Sequence, residues 1–139
     1  MLVKRYLPEL GSAELEARLL AEQPRLIASE LVKAEMISTL RRKERQGLLD
    51  RAFSNAAHAH FLDDLHRMAI GTVWLDSGCV QRATRLLQDL QAPLATLDAL
   101  HLATALEQQA QIFFTHDAQL SRAARETGLA VWPEFEHAG

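Results

Sequence analysis

The sequence predicts a single α/β domain of the three-layer α/β/α class, in which a mostly parallel sheet lies between helices. Short apolar runs alternate with longer segments of helical periodicity, and the connections between them are short. This alternation is typical of parallel sheets that helices cover on both faces. Hydrophobic residues make up 48% and charged residues 24%, as in ordinary globular proteins. No internal repeat is evident, so residues 1–139 are expected to form one domain.

Turn and capping signals set the order of the elements. Proline and glycine end helices, and a Ser or Asp before an apolar-periodic segment begins one. In the first half these signals predict helices at residues 2–6, 13–22, 30–46 and 48–68, and a strand at 25–28, with Ser29 as an N-cap. In the second half they predict strands at residues 72–75, 111–114 and 129–132, and helices at 77–90, 97–108 and 118–126.

Composition limits the compartment and the partners. Cys79 is the only cysteine, so we expect a reducing compartment and a small buried side chain at this position. No segment resembles a signal peptide or a membrane span, so we expect a cytoplasmic protein without membrane contact. The net charge of −3 implies that a nucleic acid would be bound through a local patch or a metal ion.

The helix at residues 97–108 has a carboxylate where a core is expected. Between Leu97 and Leu106 its only polar residues are Asp98, His101 and Thr104, and a helix apolar nearly all round is buried. A buried carboxylate needs a partner, a proton or a cation, because an uncompensated buried charge costs several kcal/mol. The alternative explanation of Asp98 is the helix dipole, which favours an acid in the first turn.

Two further acids follow predicted strands. Asp117 stands between the strand at 111–114 and the next helix, where a plain N-cap explains it equally well. Glu35 lies in the second turn of the helix at 30–46, on its apolar side, although ordinary helix edges produce this pattern too. Ligands of parallel α/β sheets bind beyond the carboxyl ends of the strands, so Glu35, Asp98 and Asp117 are predicted to converge there.

Such a cluster predicts a hard cation and hydrolytic chemistry. Carboxylates without accompanying Cys or paired His favour Mg²⁺ or Mn²⁺ over Zn²⁺. These ions suit phosphodiester cleavage, because they activate a water and neutralise charge on the phosphate. Lys4, Arg5 and Lys33 are weak candidates for RNA contacts near the crevice. The basic run at residues 41–45 is expected to be a solvated helix end.

Three segments resemble PIN-domain proteins, especially VapC-type toxins: SELVKAE at 29–35, LDALHLA at 97–103 and THDAQL at 115–120. They occur in the family's order, and the similarity extends over nearly the whole chain. The resemblance implies a PIN-like fold, Mg²⁺- or Mn²⁺-dependent endoribonuclease activity, an antitoxin that covers the site, and a homodimer. It also implies that Glu35, Asp98 and Asp117 match the family's acidic positions. Thr115 matches a polar position beside them, and we take Thr115 and His101 as supporting residues.

The resemblance departs from the family at the beginning of the chain. Family members start with a central strand that ends in Asp, and this chain starts at the helix that follows it. Absence of that strand would expose the backbone edges of its neighbours and remove a metal ligand. We expect Met1 to stand for an internal residue of a longer product, whereas a truly shortened chain would have a split or swapped sheet.

Two functions follow as alternatives. The first is a metal-dependent endoribonuclease that acts as the toxin of a toxin–antitoxin pair. The second is a catalytically impaired or inactive PIN-like domain that binds an antitoxin or a second copy of itself. The absent Asp favours the second. The three buried-type acids favour the first, because a binding module has little reason to bear their desolvation cost.

Overall fold

The computed structural model describes residues 12–133, so the helix predicted at residues 2–6 and the candidates Lys4 and Arg5 lie outside the described residues. The helices of the described part are α1 (Ser12–Glu22), α2 (Val32–Arg45), α3 (Arg51–His66), α4 (Ser77–Asp89), α5 (Thr96–Glu107) and α6 (Ala118–Glu126). Its strands are β1 (Leu26–Ser29), β2 (Ile70–Val73), β3 (Ile112–Phe114) and β4 (Ala130–Trp132). This alternation confirms the predicted α/β class. Among these helices, none combines the length and the hydrophobicity that crossing a bilayer requires.

The strands pair two by two within residues 12–133. β3 and β4 are parallel, with Phe113 opposite Val131, which confirms the parallel pairing predicted for this part of the chain. β1 pairs with β2 in a separate two-stranded sheet. Contacts between residues also divide the chain into two compact units, the first ending at Thr72 and the second beginning at Val73.

An apolar core between α2, α3 and β2 holds the first unit together. Its buried members are Val32, Met36, Leu40, Ala57, Phe61 and Ile70. Those on α2 recur every four residues, so the helix buries a single face. Gly47 follows α2 with a φ of +74°, a left-handed conformation that glycine adopts without a steric cost, and this confirms the predicted stop.

The second unit is built around α5, whose buried residues are Ala99, Leu102, Ala103, Thr104 and Ala105. One side of α5 packs against Cys79 and Ala83 of α4. Another side packs against Ala123 and Ala124 of α6 and Val131 of β4. The prediction of a buried helix is therefore confirmed, and so is the prediction that Cys79 is buried.

Several predicted boundaries in the first half of the chain were wrong. Ser29 is the last residue of β1 rather than an N-cap, and α2 begins after Leu31 without a side-chain cap. The helix predicted from Leu48 begins at Arg51, because Asp50 is its N-cap and accepts the Phe53 N–H at 2.7 Å. The strand predicted at 72–75 is Ile70–Val73, two residues earlier, where it pairs with β1.

Replacing Phe61 with alanine should destabilise the protein by about 3–5 kcal/mol, because this fully buried ring fills the core of the first unit. Phe53→Ala is the matched control on the same helix: the Phe53 ring is 44% exposed, so we expect a loss of about 1 kcal/mol or less. Urea denaturation of both variants measures the difference. Equal losses would contradict the assignment of Phe61 to the core.

Candidate functional site

The three candidate acids lie at the starts of three different helices, which belong to two units. Glu35 is on α2 in the first unit, whereas Asp98 on α5 and Asp117 before α6 are in the second. Among residues 12–133, no group of three or more His, Cys, Asp or Glu side chains is arranged to hold a metal ion. The convergence of the three acids therefore stays a prediction.

Asp98 lies in the first turn of α5 and is partly buried. Ala99, which follows it, is fully buried, so the carboxylate sits at the margin of an apolar core. Asp98 and His101 each have an interaction partner. The first turn of a helix has backbone N–H groups without intrahelical acceptors, and their partial positive charge favours a carboxylate. The dipole explanation and a ligand role are therefore compatible at this position.

Asp117 is exposed and is the N-cap of α6, as the alternative explanation predicts. Its Oδ1 accepts the Leu120 N–H at 2.8 Å, and its own N–H donates to Thr115 Oγ1 at 3.0 Å. Thr115 is 5% exposed, and its N–H donates to the Trp132 carbonyl at 3.1 Å, which continues the β3–β4 pairing. Thr115 thus holds Asp117 at the end of β3. Residues 12–133 donate no hydrogen bond to Oδ2, so one oxygen caps the helix while the other can face a cation.

Glu35 lies in the first turn of α2, one turn earlier than predicted, because the helix begins at Val32. It is partly buried beside Met36, which is 1% exposed, and it takes part in an interaction of its own. Each of the three candidate acids is thus an N-cap or a first-turn residue of its helix. Carboxylates are hard oxygen donors, so the chemistry of this set fits Mg²⁺ or Mn²⁺.

Glu30 forms a polar contact that sequence analysis missed. Its carboxylate accepts hydrogen bonds from Lys33 Nζ at 2.6 Å and from Thr72 Oγ1 at 2.8 Å, and these contacts lower the pKa of Glu30. Lys33, a weak candidate for RNA contact, is therefore paired with an acid. The sequence did contain a sign of this pair, because opposite charges three residues apart, such as Glu30 and Lys33, often interact.

The basic run at the end of α2 is only partly solvated. Arg42 and Arg45 are exposed, as predicted. Glu44, however, has a side chain that is only 12% exposed and accepts hydrogen bonds from Arg41 and, at 2.8 Å, from Arg51 Nε. Hydrogen bonding from Ser54 first, and then from the two arginines, lowers the pKa of Glu44. Part of the positive charge is thus neutralised within the first unit.

One cavity of the second unit has none of the candidate acids in its lining. It measures about 90 Å³ and is lined by Val73, Trp74, Asp76, Cys79, Thr104, Glu107 and Gln108. Ligand pockets usually begin at about 300 Å³, so this cavity is too small to hold a nucleotide.

Glu30→Gln should lower stability at neutral pH, where the carboxylate is charged and accepts both hydrogen bonds. The pKa of Glu30 is lowered from 4.5 in the folded state, so its contribution is present above pH 4.5 and is lost as the pH falls through the folded value. The difference in urea midpoint between wild type and variant should therefore shrink in acid. Thr72→Val, which removes one donor, should weaken the same pH dependence. A difference that persists unchanged in acid would contradict the assignment.

Asp117→Ala should destabilise the protein by about 1 kcal/mol through loss of the α6 cap, whereas Asp117→Asn should leave stability nearly unchanged. Asp76, which caps α4 by accepting the Cys79 N–H at 2.8 Å, provides a matched pair of control variants. Chemical denaturation of the four proteins measures the contribution of each cap to stability. A large loss of stability in Asp117→Asn would contradict the capping assignment.

Comparison with known protein families matches residues 9–126 to the family described as PIN domain. The match covers well over half of the 139-residue chain and includes all three candidate acids. No curated protein matches the chain. PIN domains are typically nucleases that use divalent metal ions. With its alternating helices and short strands and a match of this extent, the chain belongs to the PIN-domain family.

Proposed function

We propose that this PIN domain is a Mg²⁺- or Mn²⁺-dependent endoribonuclease and the toxin component of a toxin–antitoxin pair. Glu35, Asp98 and Asp117 would hold one or two ions, with Thr115 and His101 in support. A bound ion would supply an activated water and neutralise charge on the scissile phosphate. No protein nucleophile is required. RNA would be the substrate, and a cognate antitoxin and a second copy of the chain would be the partners.

The observation that supports this proposal best is the pairing of two acid-bearing helices within one unit. Leu102 of α5 packs with Ala123 and Ala124 of α6. α5 leads into β3 through a short connection, and α6 leads out of β3 through another. In α/β units each such helix runs antiparallel to its strand, so both helices are expected to start beyond the carboxyl end of β3. Asp98 and Asp117 occupy those two starts.

The protein's own residues have separate tasks in this proposal. Thr115 Oγ1 accepts the backbone N–H of Asp117 and holds the backbone at this position, while Oδ1 of Asp117 caps α6 and Oδ2 would be the oxygen that meets the ion. The apolar surroundings of α5 lower the local dielectric at Asp98, which strengthens its attraction for a cation. The first turns of α2 and α5 favour the charged forms of Glu35 and Asp98.

Asp98→Asn should weaken Mn²⁺ binding, measured by calorimetry, by more than roughly 10-fold. Removing a residue that only orients a metal ligand already lowers affinity by about this factor, and removing a ligand should cost at least as much. The fold should be retained, since asparagine has the same shape. Asp76→Asn is the matched control, as Asp76 caps a helix of the same unit and is not a candidate ligand. Cleavage of a fluorogenic single-stranded RNA should need Mg²⁺ or Mn²⁺ and fail in Asp98→Asn. Unchanged Mn²⁺ affinity in that variant would overturn the site.

The second candidate function is a catalytically impaired or inactive PIN domain that binds an antitoxin or a second copy. It is favoured by the absence, within residues 12–133, of a group of three or more candidate ligands arranged around one point. Wild-type protein that neither binds Mn²⁺ nor cleaves RNA, but associates with itself or with an antitoxin, would establish this alternative.

A further inference from the structure

We propose that the corner between α2 and α3 binds the phosphate backbone of single-stranded RNA through Arg42 and Arg45. The corner is the stretch from the last residues of α2 to the first residue of α3, residues 41–51. The inference rests on the proposed function for the identity of its ligand, because RNA is the substrate in that proposal. It concerns binding alone and requires no contact with the candidate metal ligands.

The corner concentrates positive charge in an acidic chain. Residues 41–51 contain five of the 15 basic residues and two acids, so this stretch carries a net charge of +3. The whole chain carries −3, so the remaining residues together carry −6. Most of such a chain repels a polyanion, and a strand of RNA can be held only where basic side chains outnumber acids.

Arg42 and Arg45 are the part of this charge that is not committed to other contacts. Both side chains are exposed, and within residues 12–133 neither makes an ion pair. Several basic side chains elsewhere in the described part are paired with an acid: Arg18 with Glu22, Lys33 with Glu30, Arg67 with Asp63 and Arg82 with Glu107. An arginine without a carboxylate partner is open to a phosphate.

Glu44 holds the corner together without neutralising these two residues. Its side chain is only 12% exposed, and its carboxylate accepts hydrogen bonds from Arg41 and, at 2.8 Å, from Arg51 Nε. These contacts join the end of α2 to the start of α3. Arg42 and Arg45 therefore project from a part of the first unit whose backbone is fixed on both sides.

The helix dipole explains only part of the basic cluster. The end of α2 is the negative end of its dipole, which favours cations such as Arg42 and Arg45. Arg51, however, is the first residue of α3, where the dipole disfavours a cation. The positive charge thus extends across both helix ends, and the dipole of α2 does not account for all of it.

The spacing and chemistry of the two arginines suit a phosphate strand. Arg42 and Arg45 are three residues apart on one helix, so they are neighbours on its surface, about 5–6 Å apart at Cβ. Each guanidinium can donate two parallel hydrogen bonds to one phosphate. An acidic protein segment would satisfy the same charges. RNA is favoured because the proposed reaction requires this acidic chain to hold RNA.

The corner lies at the far end of α2 from the candidate ligand Glu35. Arg45 follows Glu35 by ten residues, which is about 15 Å along an α-helix. Contacts at the corner would therefore add affinity for the strand without taking part in the chemistry. This separation allows RNA binding to be measured without a metal ion.

Fluorescence anisotropy of a labelled single-stranded RNA, titrated in EDTA at several salt concentrations, tests the inference without cleavage. For a single strand, each phosphate contact contributes about 0.7 to the slope of log affinity against log salt concentration. Arg42→Gln/Arg45→Gln should therefore reduce the magnitude of the slope by about 1.4 and weaken binding at low salt. Glutamine is a good helix former, so the fold should be retained, which chemical denaturation checks.

Two further variants serve as controls. Arg67→Gln/Arg85→Gln removes the same charge from two exposed residues outside the corner, and its slope should match that of the wild type. Arg42→Lys/Arg45→Lys keeps both positive charges and should keep the slope, because lysine still binds phosphate as a point charge. A slope that falls in the lysine variant would contradict an electrostatic role for the corner.

The possible results separate the inference from the function on which it rests. A slope that falls in the glutamine variant of the corner, but not in the control, supports the inference. An unchanged slope, an equal fall in both proteins, or wild-type protein that binds no RNA overturns it. Labelled polyglutamate, a probe for an acidic protein, overturns RNA as the ligand if it binds more tightly than RNA and depends on the same two arginines. RNA binding through the corner without Mn²⁺-dependent cleavage supports the inference and overturns the proposed ribonuclease.

Discussion

The second unit depends on burying α5 between its neighbours. This helix contacts α4 on one side and α6 with β4 on another, and three of its five buried residues are alanines. Small side chains let the helices approach closely, and the tight interface excludes water from around them. A polar residue on such a helix is acceptable only where it has partners. Thr104 meets this condition by donating to the Leu100 carbonyl, 2.9 Å away in the preceding turn.

Helix starts are the common electrostatic feature of the candidate site. Glu35 and Asp98 occupy first turns, and Asp117 is an N-cap. The N–H groups of a first helical turn lack intrahelical acceptors, and their partial positive charge reduces the cost of a negative charge at these positions. An acid at the start of a helix can be a cap or a metal ligand, since both roles use a carboxylate. No single one of these acids therefore distinguishes the two roles. A ligand role for these acids stays a proposal, supported by the family match and, for Asp98 and Asp117, by the packing of their two helices inside the second unit.

Several features could be predicted from the sequence because they depend on local chemistry. The α5 segment is apolar nearly all round, Gly47 ends α2, and Asp76 and Asp117 cap the helices that follow them. Predictions of helix starts failed where more than one residue could cap the helix or where the capping residue belonged to a strand. Ser29 has a side chain that could cap a helix, but it is the last residue of β1. Asp50 is the N-cap of α3, whereas the prediction started this helix at Leu48. Periodicity could not relate the three acids to one another, and their grouping rests on the resemblance of three segments to the PIN-domain family.

By itself the sequence determined the α/β class, the burial of α5 and the candidate acids, since hydrophobic period and capping chemistry act over a few residues. The tertiary structure decided which distant groups meet: Glu30 with Thr72, Glu44 with Arg51, and Glu126 with the amides of residues 91 and 92. These contacts join positions that no sequence period relates. Each contact depends on the packing of separate helices and strands. The sequence around either residue therefore does not predict it.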